Sequence, residues 1–219
     1  MSARKVVEPS NRKLAIVLAS ATAAVLVAMV VVAGITGASQ EPHEHFNTPD
    51  AYAKLLLEQR SGLRVMMALD IAFCILYTAF FAALARHLGG LFAWLGFGAM
   101  VLVALLDFVE DHHIIAMLES VEHGIVPAAD AIAWQAAESA TKFSISYLSL
   151  VLFGLAIPRT TKLARTLVTF LTVGTVITAI VGYSLPPGLQ PAFEGGRGIG
   201  FLVGLGLAIA WLSREPDAR

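Results

Sequence analysis

One cysteine, Cys74, is all the chain has, so no intramolecular disulfide, CxxC redox pair or cysteine-based zinc ribbon can be built. Charge is equally scarce, with Asp, Glu, Lys and Arg making up 14% of the residues where a soluble domain carries about a quarter. The formal charge is -1, and no basic stripe with interleaved aromatics exists to neutralise phosphates, which excludes nucleic acid as a partner. A Gly-x-Ser-x-Gly elbow, a P-loop and a His-Glu-x-x-His motif are all missing, removing the commonest hydrolase and nucleotide-binding chemistries. No two apolar stretches carry histidines at mid-depth, which argues against a buried bis-histidine haem. No matching pair of Gly/Pro-broken segments points to an inverted-repeat transporter.

What the chain has instead is apolar length. Hydrophobic residues make up 57% of its 219 residues and the mean hydropathy is +0.75. That is more apolar surface than one soluble core can hide, and several runs approach the roughly 20 residues needed to cross a bilayer as helix. The expected fold is an all-α integral membrane protein, a bundle of about six transmembrane helices with the lipid bilayer as its main partner. The expected spans are residues 14–36, 63–85, 91–118, 132–157, 166–185 and 198–212, between cytoplasmic tails at 1–13 and 213–219. The first run is longer than the roughly 7 to 15 residues of a signal h-region, which favours a retained anchor, although Thr36-Gly37-Ala38 resembles a signal-peptidase site. Residues Ala51 to Gln59, after Thr48 or Asp50 as cap, read as a short amphipathic surface helix. Pro186-Pro187-Gly188 breaks the fifth span, and a Gly-rich loop precedes the sixth. Gly200 and Gly204 have the spacing that permits close helix packing, within the bundle or against another copy, so a homo-oligomer or a membrane partner subunit is a further expectation.

Orientation follows from the basic residues, which accumulate on the cytoplasmic side. With the N-terminus inside, ten of the 15 fall inside: Arg4, Lys5, Arg12, Lys13, Arg86, Arg159, Lys162, Arg165, Arg214 and Arg219. Both termini are therefore expected in the cytoplasm. Arginine-rich, lysine-poor composition adds a bacterial inner membrane. The same topology places five of the six histidines and most acids on the outer half.

Chemistry concentrates in Asp107-Phe108-Val109-Glu110-Asp111-His112-His113, followed by Glu122-His123. At 100° per residue, Asp107, Glu110, Asp111 and Glu122 share one face of a continued third helix, and His112, Glu119 and His123 another. Carboxylate with imidazole suits zinc, iron or manganese, so Asp107, Glu110, Asp111, His112, His113 and His123 are the candidate ligands of a divalent metal ion. Glu110 and His113 also have the Glu-x-x-His spacing of di-iron bundles, but the second such motif those sites require is missing. The plainer reading is a solvated helix end. His43 and His45 are extra ligands on a loop, or simply solvated.

Asp70 lies within the second span, with Met66, Cys74 and Tyr77 on its face. An acid at that depth points to function unless it is paired or neutral; Arg64 and Lys142 are its candidate partners. The fourth span carries the stripe Gln135, Glu138, Lys142, Ser146 and Ser149, in which Glu138 and Lys142 have the favourable i,i+4 order for an ion pair. Asp70, Glu138 and Lys142 would line a polar cavity open to the outer side. The leading functional reading is a cation- or proton-binding transport or sensing component with an outward-facing acidic and histidine-rich cluster. A metal-dependent membrane enzyme, with Glu110 activating water, is the second. A structural subunit whose 107–123 side chains diverge into solvent is the third.

Overall fold

The computed structural model describes residues 9–185 and 189–214. Among these residues every regular element is helical: α1 Pro9–Thr36, a 3-10 turn Glu41–His43, α2 Pro49–Leu88, α3 Gly90–Glu122, α4 Ala129–Ala156, α5 Lys162–Thr169, a π-helical turn Phe170–Gly174, α6 Thr175–Ser184 and α7 Gln190–Arg214. Six helices are long and apolar enough to cross a membrane, with α5, the π turn and α6 acting together as the fifth. Their outer faces expose Val17, Ile75, Leu105 and Ile180. Such a surface would be a liability in water but matches hydrocarbon, where helices satisfy their own backbone.

Three local expectations are corrected. The segment 51–59 is not a separate surface helix, because α2 runs unbroken for 40 residues, about 60 Å at 1.5 Å per residue. Thr48 takes the cap position but makes no side-chain cap bond, and Pro49 starts the helix instead. The glycines at 195–198 form part of α7 rather than a loop. Gly204 does pack closely, with Phe170 3.1 Å from where a Cβ would stand, whereas nothing lies within 4 Å of that position on Gly200. The expected Pro186-Pro187-Gly188 break lies outside the described residues.

Neighbouring helices in sequence pack side by side, α1 on α2, α2 on α3 and α3 on α4, while α7 returns against α1. The α2–α3 turn is possible because Gly89 and Gly90 take φ of 64° and 80°, a region that side chains with a Cβ avoid. Where α1 ends against α2, Gly62 lets the chains touch: a Cβ there would stand 2.5 Å from Thr36 Oγ1 and 2.6 Å from Ala38 Cβ.

The interior is layered along the helix axes. Tyr52, Leu56, Leu63, Ile114, Leu118 and Ile132 form one apolar core at the end where α1 meets α2 and α3 meets α4. Phe80, Phe81, Met100, Phe153, Leu167 and Leu212 belong to a second core toward the opposite end. Along α2, α3 and α4 the buried residues between these cores are ionisable or polar: Asp70, then Asp107, Glu110 and Asp111, then Gln135, Ser139 and Lys142. A sheet of charge is thus enclosed between two apolar plugs.

Candidate functional site

Asp107, Glu110 and Asp111 occupy i, i+3 and i+4 on α3, which sets them on one face. Gln135, Ser139 and Lys142 do the same on α4, and the two faces meet. Lys142 is the hub: its Nζ lies 2.9 Å from Asp107 Oδ1, 3.4 Å from Glu44 Oε1 and in direct contact with Glu110 Oε2. Glu110 is fully buried and also accepts hydrogen bonds from the Ser139 hydroxyl and from Gln135 Nε2 at 3.1 Å. The Tyr77 hydroxyl donates to Asp107 Oδ2 at 2.5 Å. Gln40 Nε2 donates to Asp111 Oδ1 at 3.3 Å, while Asp111 Oδ2 and Gln135 Oε1 are buried acceptors with no partner.

The loop after α1 folds over this layer. Glu44 reaches Lys142 and also accepts from Arg197 of α7 at 3.0 Å. The Arg197 guanidinium in turn lies over the Phe143 ring, 3.4 Å from its centroid, a cation–π arrangement. Burial alone would raise the Glu44 carboxyl, but Lys142 and Arg197 outweigh it and hold its pKa below the ordinary value. His43, expected as a solvated or ligating loop residue, is instead fully buried. Its Nε2 lies 3.2 Å from Gln59 Oε1 and its ring meets Tyr52 edge-on. Burial, only partly opposed by Gln59 and Glu44, pushes its pKa down to about 4.

Asp70, Cys74 and Asp107 bring one carboxylate oxygen, the thiol sulfur and a second carboxylate oxygen within 4.8 Å of one another, and this buried group could bind a metal ion. Asp70 and Cys74 are i,i+4 on α2, so α2 supplies two members and α3 the third. None of the described histidines belongs to it.

The expected residues are thereby divided. Asp70, Asp107, Glu110, Asp111 and Lys142 come together, but in the bundle interior, so the outward-facing cluster is corrected to a buried one. Helix phase takes the histidines elsewhere. His112 and His123 are exposed and turn Nδ1 back to the carbonyls of Phe108 and Glu119, at 2.6 and 2.7 Å. His113 stands half-exposed with Nδ1 2.9 Å from Glu138 Oε2. Glu138 is therefore held by His113 rather than by Lys142, and the expected i,i+4 ion pair is replaced by bridges between helices. Arg64 is likewise spent on Glu122 and Glu119, at 2.7 and 3.7 Å, and does not reach Asp70. Sequence reasoning missed Glu44, Arg197 and Gln40 as members of the site. Glu44 and Arg197 are 153 positions apart, and neither has a spacing that would have flagged it.

Beside the layer, a cavity of about 880 Å³ opens among the helices, with Gln40, Glu44, Asp70, Asp107, Lys142 and Arg197 at its polar end. No family model, curated protein or solved structure matches the chain.

Proposed function

We propose that the chain is a multi-pass membrane protein, with cytoplasmic termini in a bacterial inner membrane, whose buried acidic layer binds protons or a cation as part of a transport or sensing component. One observation carries this reading. Five buried carboxylates, Glu44, Asp70, Asp107, Glu110 and Asp111, stand against the two cations in contact with them, Lys142 and Arg197. Like charges at such density cannot all stay ionised in a low-dielectric interior without compensation. The two unpartnered atoms of the layer, Asp111 Oδ2 and Gln135 Oε1, are acceptors, which calls for a donor or a positive charge. Acids at this depth in a membrane bundle are retained for ion or substrate paths. A purely structural role predicts that the acids diverge into solvent, and their convergence disfavours it.

A second reading, a resident metal ion, draws on the Asp70, Cys74 and Asp107 geometry. Hard carboxylate oxygens and a soft thiolate together suit a borderline ion such as zinc. Elemental analysis of the detergent-purified chain after exposure to Zn2+ or Mn2+, beside infrared titration of its carboxyl bands, tests both readings. A near-stoichiometric metal lost in Asp107→Asn supports the metal, and a protonated carboxyl band lost in the same variant supports the proton. Finding neither in the wild-type chain removes the cation-binding function.

A further inference from the structure

We propose that the cavity beside the acidic layer binds a lipophilic organic cation, a bulky apolar or aromatic ammonium-type ion, with Asp70 as its counter-charge. This rests on the reading of the layer as a cation site and names the class of cation.

The cavity volume, about 880 Å³, falls in the range of roughly 300 to 1,000 Å³ found for ligand pockets, which are mostly apolar with a few convergent polar groups. Along α2 it is lined from Met66 to Leu84, about 27 Å at 1.5 Å per residue. It therefore continues well past the charged end into an apolar zone. Aromatic side chains supply much of that wall. Phe73 and Tyr77, one and two turns along from Asp70, lie edge-on with centroids 5.3 Å apart, and Phe73 meets Phe201 of α7 at 5.5 Å. Ring faces attract cations, the more so when water is excluded, and Phe143 on the opposite wall already holds the Arg197 guanidinium.

The charge balance selects the sign of the ligand. Lys142 is taken by Asp107, Glu110 and Glu44, and Arg197 by Glu44. Among the described residues no ion pair or hydrogen bond reaches Asp70, which is 6% exposed and lines the cavity. An anionic amphiphile would find both cations occupied and a carboxylate with no direct partner in its way. A small inorganic ion at the Asp70, Cys74 and Asp107 corner would leave the long aromatic wall without a role. A lipophilic cation satisfies the acid and fills the apolar volume together.

The test is equilibrium binding of labelled tetraphenylphosphonium to the full chain in non-ionic detergent, against tetraphenylborate, which has the same four phenyl groups and the opposite charge. Saturable binding at one site per chain is expected, with the borate at least about tenfold weaker, the equivalent of one lost ionic contact. Asp70→Asn should weaken tetraphenylphosphonium by a similar factor and Asp70→Glu should retain it. Should the Asn variant fail to fold, the comparison of the two ions on the wild-type chain decides. Equal binding of both ions, no saturable binding, or an Asp70→Asn variant of full affinity overturns the proposal. A protonated carboxyl or bound metal in a chain that ignores tetraphenylphosphonium would overturn the organic ligand alone. Absence of all three would overturn the cation site with it.

Discussion

Replacing Lys142 with methionine keeps most of the side-chain volume and removes the charge that holds the buried acids together. At the observed separations of 2.9 Å to Asp107 and 3.4 Å to Glu44, each attraction is worth about 5 kcal/mol gross at an effective dielectric of about 20. Much of that gain is cancelled by the cost of burying the ammonium itself. Removing one member of a buried ionic group leaves its partners uncompensated, and the net loss is about 3–5 kcal/mol. For a chain of this size that corresponds to a fall in Tm on the order of 10 °C. The assay is thermal unfolding in detergent, followed by circular dichroism and by loss of monodisperse elution. Because the penalty comes from stranded carboxylates, Lys142→Met combined with Glu110→Gln should recover part of it. A single variant within about 1 kcal/mol of wild type, or a double variant no more stable than the single, would refute the ionic hub.

His43 gives a pH signature. Its pKa is held down at about 4, so between about pH 6.5 and 4 the unfolded chain takes up a proton that the folded chain refuses. Stability should therefore fall as the pH drops through that window, by at most about 1.4 kcal/mol per unit, and His43→Gln should flatten that slope in denaturation midpoints. Gly62→Leu forces a side chain into Thr36 and Ala38 and should cost about 1–3 kcal/mol as overpacking, read as a lower Tm. Arg64→Ala breaks only half-exposed contacts to Glu119 and Glu122 and should shift stability by less than about 1 kcal/mol.

Helical class and the presence of six long apolar helices were legible because each depends on a local property, the length of an apolar run. So was the grouping of Asp107, Glu110 and Asp111 on one face of α3, because the 100° step is a property of the helix itself, although that face was expected to look outward and Glu122, grouped with them, stays exposed. Continuity was harder to read. The polar residues of 51–59 resembled a separate helix, but no breaker stands between Gln59 and Leu63, and Gly62 packs on α1 rather than interrupting α2. Local spacing also favoured pairing Glu138 with Lys142. Three carboxylates from other segments offered the lysine a closer and more buried arrangement, and His113 took Glu138.

By itself, then, the sequence determined that this is a chain of apolar helices with one costly acid, Asp70, inside the second and a cluster of acids where the third apolar run ends, since periodicity and hydropathy act over a few turns. Only the tertiary structure decided that those acids are enclosed rather than outward-facing, that the histidines stand apart from them, and that Glu44 and Arg197 complete the site. The reason is range. Helix phase operates along one segment, whereas the neutralisation of a buried charge is settled by whichever opposite charge the packing brings within about 4 Å, however distant it is in the chain.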